Sequence, residues 1–411
     1  MEIRPILSAL LRNKTGPILV AVQVALSLAI LANALHIVQG RQAVSARESG
    51  LANEQDVFAL QIRPLQRGGH EEQLAFQARQ TATLRAVPGV LSVASSSQMP
   101  LSRSGNYTGL SVNRSQVNST AQASTYRTAD SLVATWQLKL VEGRDFTKAD
   151  LLEVDEQVSK EFPKTVIITK ALAQKLWPGQ SAIGKTMFFG IGEKANPTQV
   201  IGVVERLQKP WAQVGEEGEY SSIVNYRGLG GIPGAMYTVR TEPGQRDRVM
   251  KEAEAAMAKS SPVPVVIRVK NTLDDRKERY RADKALSWML ITVSVLLLVI
   301  TASGIVGMAS LWVTQRRKQI GVRRALGARR ADILRYFIAE NVMITSAGVA
   351  GGLLLAIALN QLLVSKLEMT KLPLIYLLWG TGVFFVLGIV AVYGPAWRAA
   401  TISPATATRT A

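Results

Sequence analysis

Cysteine is absent from the 411 residues, and histidine occurs only twice, at His36 and His70. Without cysteine there is no disulfide, no thiolate nucleophile and no cysteine-ligated metal. Two histidines are too few for a His-rich metal site, and neither sits in a motif that would orient a serine nucleophile. Helix-turn-helix and RNA-binding signatures are also missing, which removes nucleic acid as a partner despite a formal net charge of +18. Acidic residues are scarce outside one stretch. Residues 39–284 hold 26 Asp/Glu against 33 Lys/Arg, whereas the rest of the chain holds four against 15. Most of the positive excess therefore lies outside the polar stretch.

Four apolar runs are present, at roughly 17–38, 286–314, 336–363 and 374–393. Each meets the length of about 20 residues needed to cross a bilayer. The excess of cations flanks these runs, a placement that suits membrane topology and anionic lipid headgroups. The first run is too long for the apolar part of a cleaved signal peptide, about 7–15 residues, and reads as an anchor. Arg4, Arg12 and Lys14 precede it, and eight Lys/Arg crowd between Gln315 and Arg335. The short 364–373 loop carries only Lys366 and Lys371, offset by Glu368. The positive-inside rule then predicts a cytoplasmic N-terminus (1–16), spans at 17–38, 285–314, 336–363 and 374–396, a cytoplasmic segment at 315–335 and a cytoplasmic tail (397–411). Residues 39–284 and 364–373 fall on the outer face. The charged run from Asn271 to Lys284 is helix-friendly and predicts a stalk continuous with the second span.

Small residues recur four apart within the spans, at Ser303 and Gly307 and at Gly348 and Gly352. This spacing lets helix backbones approach closely, in a bundle or a dimer. Ionisable groups in the spans are few. His36 reads as interfacial, and Glu340 as sitting at the cytoplasmic interface, so an ion-coupled pathway is not indicated.

In the polar stretch, residues 57–63, 90–96, 236–241 and 263–270 alternate as strands. Residues 70–87 and 245–259 follow a helical period, with Val249, Met250, Ala253, Ala256 and Met257 on one face. The expected fold is thus an α-helical membrane protein with four transmembrane helices and a large α+β extracytoplasmic domain. That domain is built from two β-α-β units with an insert of about 135 residues between them. The insert contains Gly179-Gln180-Ser181-Ala182-Ile183-Gly184-Lys185-Thr186, which matches the P-loop pattern G-x-x-x-x-G-K-[ST]. A P-loop follows a strand and opens a helix. Here a helical run precedes the motif and a strand-like run follows it, so the match reads as a false positive for a nucleotide site.

The basic segment reads Arg317-Lys318-Gln319-Ile320-Gly321-Val322-Arg323-Arg324-Ala325-Leu326-Gly327-Ala328. It resembles the signature of the FtsX-like permease domain, and the ending from Gly394 through Trp397 and Arg398 to Ser403-Pro404 resembles the close of that domain. In the polar stretch, Glu142-Gly143-Arg144-Asp145-Phe146, Leu176-Trp177-Pro178-Gly179 and Val200-Ile201-Gly202-Val203-Val204 resemble the MacB-type periplasmic core domain. The resemblance implies the permease subunit of a MacB-like ABC transporter in a bacterial inner membrane, dimeric and acting by mechanotransmission. Its ATPase, with ATP and Mg, would be a separate polypeptide, because the chain has no ABC signature and starts almost directly at the first span. No cofactor would be bound directly. The further implied partners are a second permease copy or paralogue, a periplasmic adaptor and an outer-membrane duct. By the same resemblance, Gln319, Gly321, Arg323, Arg324, Gly327 and Ala328 would form the segment where the ATPase docks. Gln319 departs from the acid usual in the family, as does Ser403-Pro404-Ala405-Thr406 from its Asp-Pro ending. Two alternatives remain at this point: an FtsX-like transmembrane regulator of a periplasmic cell-wall hydrolase, and a sensor passing ligand binding to a cytoplasmic signalling partner.

Overall fold

A computed structural model describes residues 14–66, 68–211, 215–229, 235–367 and 370–401. The predicted contributions of Arg4, Arg12, Glu368 and the Ser403–Thr406 tail lie outside these residues. Two compact units emerge: Ala43–Ala282, and Met1–Gln42 with Asp283–Ala411. In chain order the elements are α1 (Thr15–Ala46), β1 (Val57–Pro64), α2 (His70–Arg85), β2 (Val90–Ser95), β3 (Thr108–Ser111), β4 (Ala121–Thr128), α3 (Leu132–Trp136) and β5 (Leu140–Gly143). There follow β6 (Leu152–Asp155), β7 (Thr165–Thr169), α4 (Lys170–Leu176), β8 (Thr186–Phe189), β9 (Asn196–Val204), β10 (Ser221–Leu229), β11 (Ala235–Thr241), α5 (Arg246–Ser260) and β12 (Val265–Asn271). The chain then runs through α6 (Thr272–Gln315), α7 (Arg317–Ala325), α8 (Arg330–Leu367) and α9 (Leu374–Ala400).

The two β-α-β units of the 43–282 unit interleave. Their four strands make one sheet in the order β12-β1-β11-β2, with every neighbouring pair antiparallel. Each β-α-β therefore has a strand of the other unit between its own two, the split arrangement of ferredoxin-like folds. Strand β1 explains how the layers stack. Phe58, Leu60 and Ile62 point to one face and pack with Val249, Ala253 and Met257 of α5 and Leu84 of α2. Val57 and Ala59 point to the other face and pack with Tyr126 and Trp136 from the insert. A strand's period of two puts both sets in core, on opposite sides.

The insert is a small closed sheet. Strands β4-β3-β8-β9-β7-β10 are joined in that order, and a parallel β10–β4 pairing from Ser221↔Ser124 to Asn225↔Thr128 completes the circuit. Closure removes the unpaired edges that short strands would otherwise expose. Leu110, Val166, Ile168, Met187 and Val200 fill it together with Leu172 and Leu176 of α4.

Strand β12 passes directly into α6. Asn271 makes the join: its Oδ1 accepts the Asp274 backbone N–H at 2.7 Å, satisfying a first-turn donor. The helix then runs unbroken for 44 residues, about 66 Å at 1.5 Å per residue. That is roughly twice the hydrocarbon thickness of a bilayer. Among the described residues four helices, α1, α6, α8 and α9, are long and apolar enough to cross a membrane.

In the membrane unit, α8 lies against α1 at glycines. A Cβ on Gly348 would sit 2.8 Å from the Ala21 carbonyl oxygen and 2.8 Å from Val24 Cβ. One on Gly352 would meet Leu28 Cδ2 at 2.9 Å and the Ala25 carbonyl oxygen at 3.0 Å. Hydrogen bonds reinforce the packing: Ser27 Oγ with Thr301 Oγ1 at 2.9 Å, and Asn33 Nδ2 to the Ala356 carbonyl at 3.1 Å. Ser303 is exposed, and a Cβ on Gly307 would meet nothing within 4 Å.

Candidate functional site: the basic segment between the second and third membrane helices

Nine residues, Arg317–Ala325, form α7, and Gly327 ends it. Gly327 adopts φ +97°. Its N–H donates to the Arg324 carbonyl at 3.2 Å, and the Ala328 N–H donates to the Arg323 carbonyl at 3.0 Å. These two bonds are the Schellman closure, which needs a left-handed residue just past the helix and so favours glycine. Asp332 starts the next helix, its Oδ2 accepting the Arg329 N–H at 2.9 Å. The Leu326-Gly327-Ala328 part of the motif is thus a tight helix-to-helix corner.

The inner face of α7 belongs to the bundle core. Ile320 is buried with Ile333 and Phe337, and Gly321 is buried beside it. Side chains tie both ends. Arg316, the residue before α7, donates through Nη1 to Glu340 Oε2 at 2.8 Å. Glu340 is 1% exposed, so this carboxylate is buried among the helices with Arg316 as its partner. At the other end, Arg324 Nη1 donates to the Ala400 carbonyl at 2.7 Å, at the last turn of α9. The Arg323 guanidinium lies 5.1 Å from the Tyr336 ring centroid on α8, within the reach of a cation–π contact.

The outer face differs. Gln319, Arg317 and Lys318 are exposed. So are two apolar side chains one turn apart, Val322 (52%) and Leu326 (83%). Of the six residues expected from resemblance, Gln319, Arg323 and Gly327 are exposed, and Gln319 shares a small hollow with Arg316, Arg323 and Tyr336. Gly321 and Ala328 face partly or fully inward, Gly327 makes the corner, and Arg323 and Arg324 contact α8 and α9. Sequence reasoning centred on charge passed over Val322 and Leu326. The signal was an i, i+4 apolar pair inside a basic helix.

The P-loop look-alike has the reverse of the required context. Helix α4 precedes it and β8 follows it. Its backbone is engaged in the sheet, with the Gly184 N–H donating to the Val200 carbonyl at 2.8 Å. The Lys185 ammonium hydrogen-bonds Gln180 and lies 5.5 Å from the Trp177 ring centroid. Among the described residues no group of three or more His, Cys, Asp or Glu is placed to hold a metal ion.

Four membrane-length helices among the described residues, a split β-α-β domain and a clamped basic helix describe a membrane protein with a large α/β domain. The family models say which one. The MacB-like periplasmic core domain matches residues 21–256, and the FtsX-like permease C-terminal domain matches residues 291–404. The chain belongs to the MacB-like ABC transporter permease family.

Relatives include the macrolide export ATP-binding/permease protein MacB of Chromobacterium violaceum, 26% identical over 272 residues, covering 65% of this chain and 40% of that protein. The MacB protein of Bradyrhizobium diazoefficiens is 35% identical over 141 residues, 33% of this chain and 21% of that one. The pyoverdine export ATP-binding/permease protein PvdT of Pseudomonas syringae pv. tomato is 31% identical over 127 residues, 31% and 19% of the two chains. The chain thus spans 40% or less of the length of these relatives. Among solved structures, the extracellular domain of the noncanonic ABC-type transporter YknZ matches at 20% identity and a TM-score of 0.33, covering 52% of this chain and 100% of that one. The periplasmic region of MacB from Actinobacillus actinomycetemcomitans matches at 15% identity and a TM-score of 0.32, covering 58% and 97%.

Proposed function

We propose that this chain is the non-catalytic permease subunit of a MacB-like export machine in the bacterial inner membrane. A separate cytoplasmic ABC ATPase dimer docks on α7 and supplies ATP and Mg chemistry. Both termini are cytoplasmic, residues 43–282 are periplasmic, and a second copy or paralogue completes the permease. The observation that carries the reading is the two-sided character of α7. One face is fixed to α8 and α9 through Glu340, Tyr336 and the Ala400 carbonyl, while the other presents Val322 and Leu326. A helix docked on its open face and clamped on its inner face passes a push into the bundle instead of swivelling. Helix α6, continuous for 44 residues, can carry displacement out of the membrane, which is the mechanical element that mechanotransmission requires. The names of the relatives favour export of a small molecule, with a periplasmic adaptor and an outer-membrane duct receiving it.

Affinity purification of the tagged chain from native membranes, followed by mass spectrometry of stoichiometric partners, tests this. An ABC ATPase with an adaptor or second permease is the expected recovery. Recovery of a cell-wall hydrolase would replace export by transmembrane regulation, and absence of any ATPase after gentle extraction would overturn the docking role.

A further inference from the structure

On the closed sheet of the insert lies a polar cleft of about 390 Å³, within the range of small-molecule sites, about 300–1,000 Å³. Thr120 and Gln122 from the β3–β4 connection and its following strand form one wall, and Tyr220 lines it just before β10. Two ammonium groups, from Lys175 and Lys209, line it against one carboxylate, Glu217. A second hollow of about 370 Å³ shares Lys175 and Tyr220 and extends the cleft past Glu216.

Lys209 is the unusual member. It is 4% exposed, its Nζ donates to the Gln122 carbonyl at 2.8 Å, and it lies 5.7 Å from the Tyr220 ring centroid. Burial pushes its pKa below the ordinary lysine value, with Glu217 opposing the shift. Withdrawing an ammonium from water is costly unless it is paired and hydrogen-bonded, and these contacts hold the Lys209 ammonium fixed in the wall of the cleft.

We propose that this cleft binds a small carboxylate-bearing molecule, its carboxylate lodged between Lys209 and Lys175. The Ser119 hydroxyl lines the same wall and can donate as well, whereas the Thr120 hydroxyl already donates to Gln116 Oε1 at 3.3 Å. The site also has a physical connection to the stalk helices. The Lys209 carbonyl accepts the Leu101 N–H at 3.2 Å, and the Pro210 carbonyl accepts the Arg103 N–H at 3.0 Å. Leu101 and Arg103 both have φ +62°, a strained left-handed conformation for residues other than glycine. Leu101 is buried between Val44 of α1 and Tyr280 of α6. A ligand that shifts Lys209 therefore acts on a strained turn seated between those two helices. The proposal deepens the permease reading by giving it a ligand site, and it is tested without an ATPase so that either reading can fail alone.

Full-length protein in lipid nanodiscs is titrated calorimetrically with citrate as the probe. Binding is expected to saturate and to weaken at least about tenfold, about 1.4 kcal/mol, in both Lys175→Ala and Lys209→Met. Lys175 is exposed, so its variant keeps the fold and remains informative if the buried lysine does not tolerate change. Amide exchange at Leu101 and Arg103 is expected to slow when citrate is bound. No saturable binding, unchanged affinity in Lys175→Ala, or equal displacement of citrate by sulfate at matched ionic strength would overturn the site.

Discussion

Arg276 holds Glu54 with two arms of its guanidinium, Nε to Oε2 at 2.9 Å and Nη2 to Oε1 at 2.6 Å. Its third nitrogen, Nη1, donates to the Ser45 and Arg47 carbonyls at 3.1 and 2.9 Å. One residue of the α6 stalk thus closes the C-terminal end of α1 and pins the segment that leads into β1. Lysine is a single-point donor and cannot reproduce this fork. Arg276→Lys and Arg276→Met are both expected to lower stability by about 1.5–3 kcal/mol, the scale of hydrogen bonds to a charged group. Thermal unfolding of the detergent-solubilised chain measures it. Full retention of stability in Arg276→Lys would show that charge alone suffices.

The Glu142–Phe146 motif makes a second prediction, through pH. Arg144 donates to Asp150 at 2.8 and 3.2 Å. This fork holds the Asp150 carboxyl well below the usual carboxylate range; burial opposes the shift, and the Thr147 backbone and hydroxyl donors add to it. A carboxylate whose folded pKa is depressed contributes stability above its unfolded pKa, about 3.9, and that contribution is lost as pH falls toward the folded value. Asp150→Asn is expected to cost roughly 1 kcal/mol at neutral pH, discounted because Arg144 is half exposed. The difference from wild type should shrink below about pH 4. A gap that stays constant across that range would assign the effect to packing.

Helix packing separates two glycines that look alike in sequence. A Cβ on Gly348 meets a carbonyl oxygen at 2.8 Å, whereas one on Gly307 meets nothing within 4 Å. Gly348→Val is expected to destabilise the chain by about 1–3 kcal/mol, the cost of overpacking. Gly307→Ala should stay within about 0.5 kcal/mol in dilute detergent. Unfolding midpoints of the two variants decide this. Equal damage from both would mean that α6 is packed on its open side as well.

How far these features could be read in advance depended on the kind of signal. A run of about 20 apolar residues has few alternatives to a membrane span, and the strand and helix periods of the β-α-β units stood out in residues 57–96 and 236–270. The interleaving of those units did not, since Phe58 and Ala59 are both apolar and the letters do not say that each face has its own core. Closure of the insert was also hidden. It rests on buried polar strands, where Ser222 Oγ donates to Thr125 Oγ1 at 3.1 Å across 97 residues of sequence. Polar residues of this kind read as loop. The same limit applied to the basic segment. Cations there pointed outward by composition, yet Arg324 ends on a backbone carbonyl 76 residues away, a partner that carries no sequence signature.

That partition gives the sharpest test of α7. A docking contact and a clamp fail in different ways. Leu326 is 83% exposed and touches no part of the fold that its loss would disturb, so Leu326→Glu should leave thermal stability within about 0.5 kcal/mol of wild type. If Leu326 lies at the centre of a docking contact, the same change should cost about 2 kcal/mol of ATPase affinity, the scale of an interface hot spot. Arg324→Gln should do the reverse. It removes the charged donor from the Ala400 carbonyl at 2.7 Å, and is expected to lower stability by about 1.5–3 kcal/mol while leaving the exposed Val322 and Leu326 unaltered. An ATPase still recruited by Arg324→Gln but not transmitting, with hydrolysis no longer stimulated by the permease, would identify Arg324 as part of the mechanical link. Loss of recruitment in Arg324→Gln at unchanged stability would instead put its guanidinium in the docking contact, and the clamp would have to be abandoned.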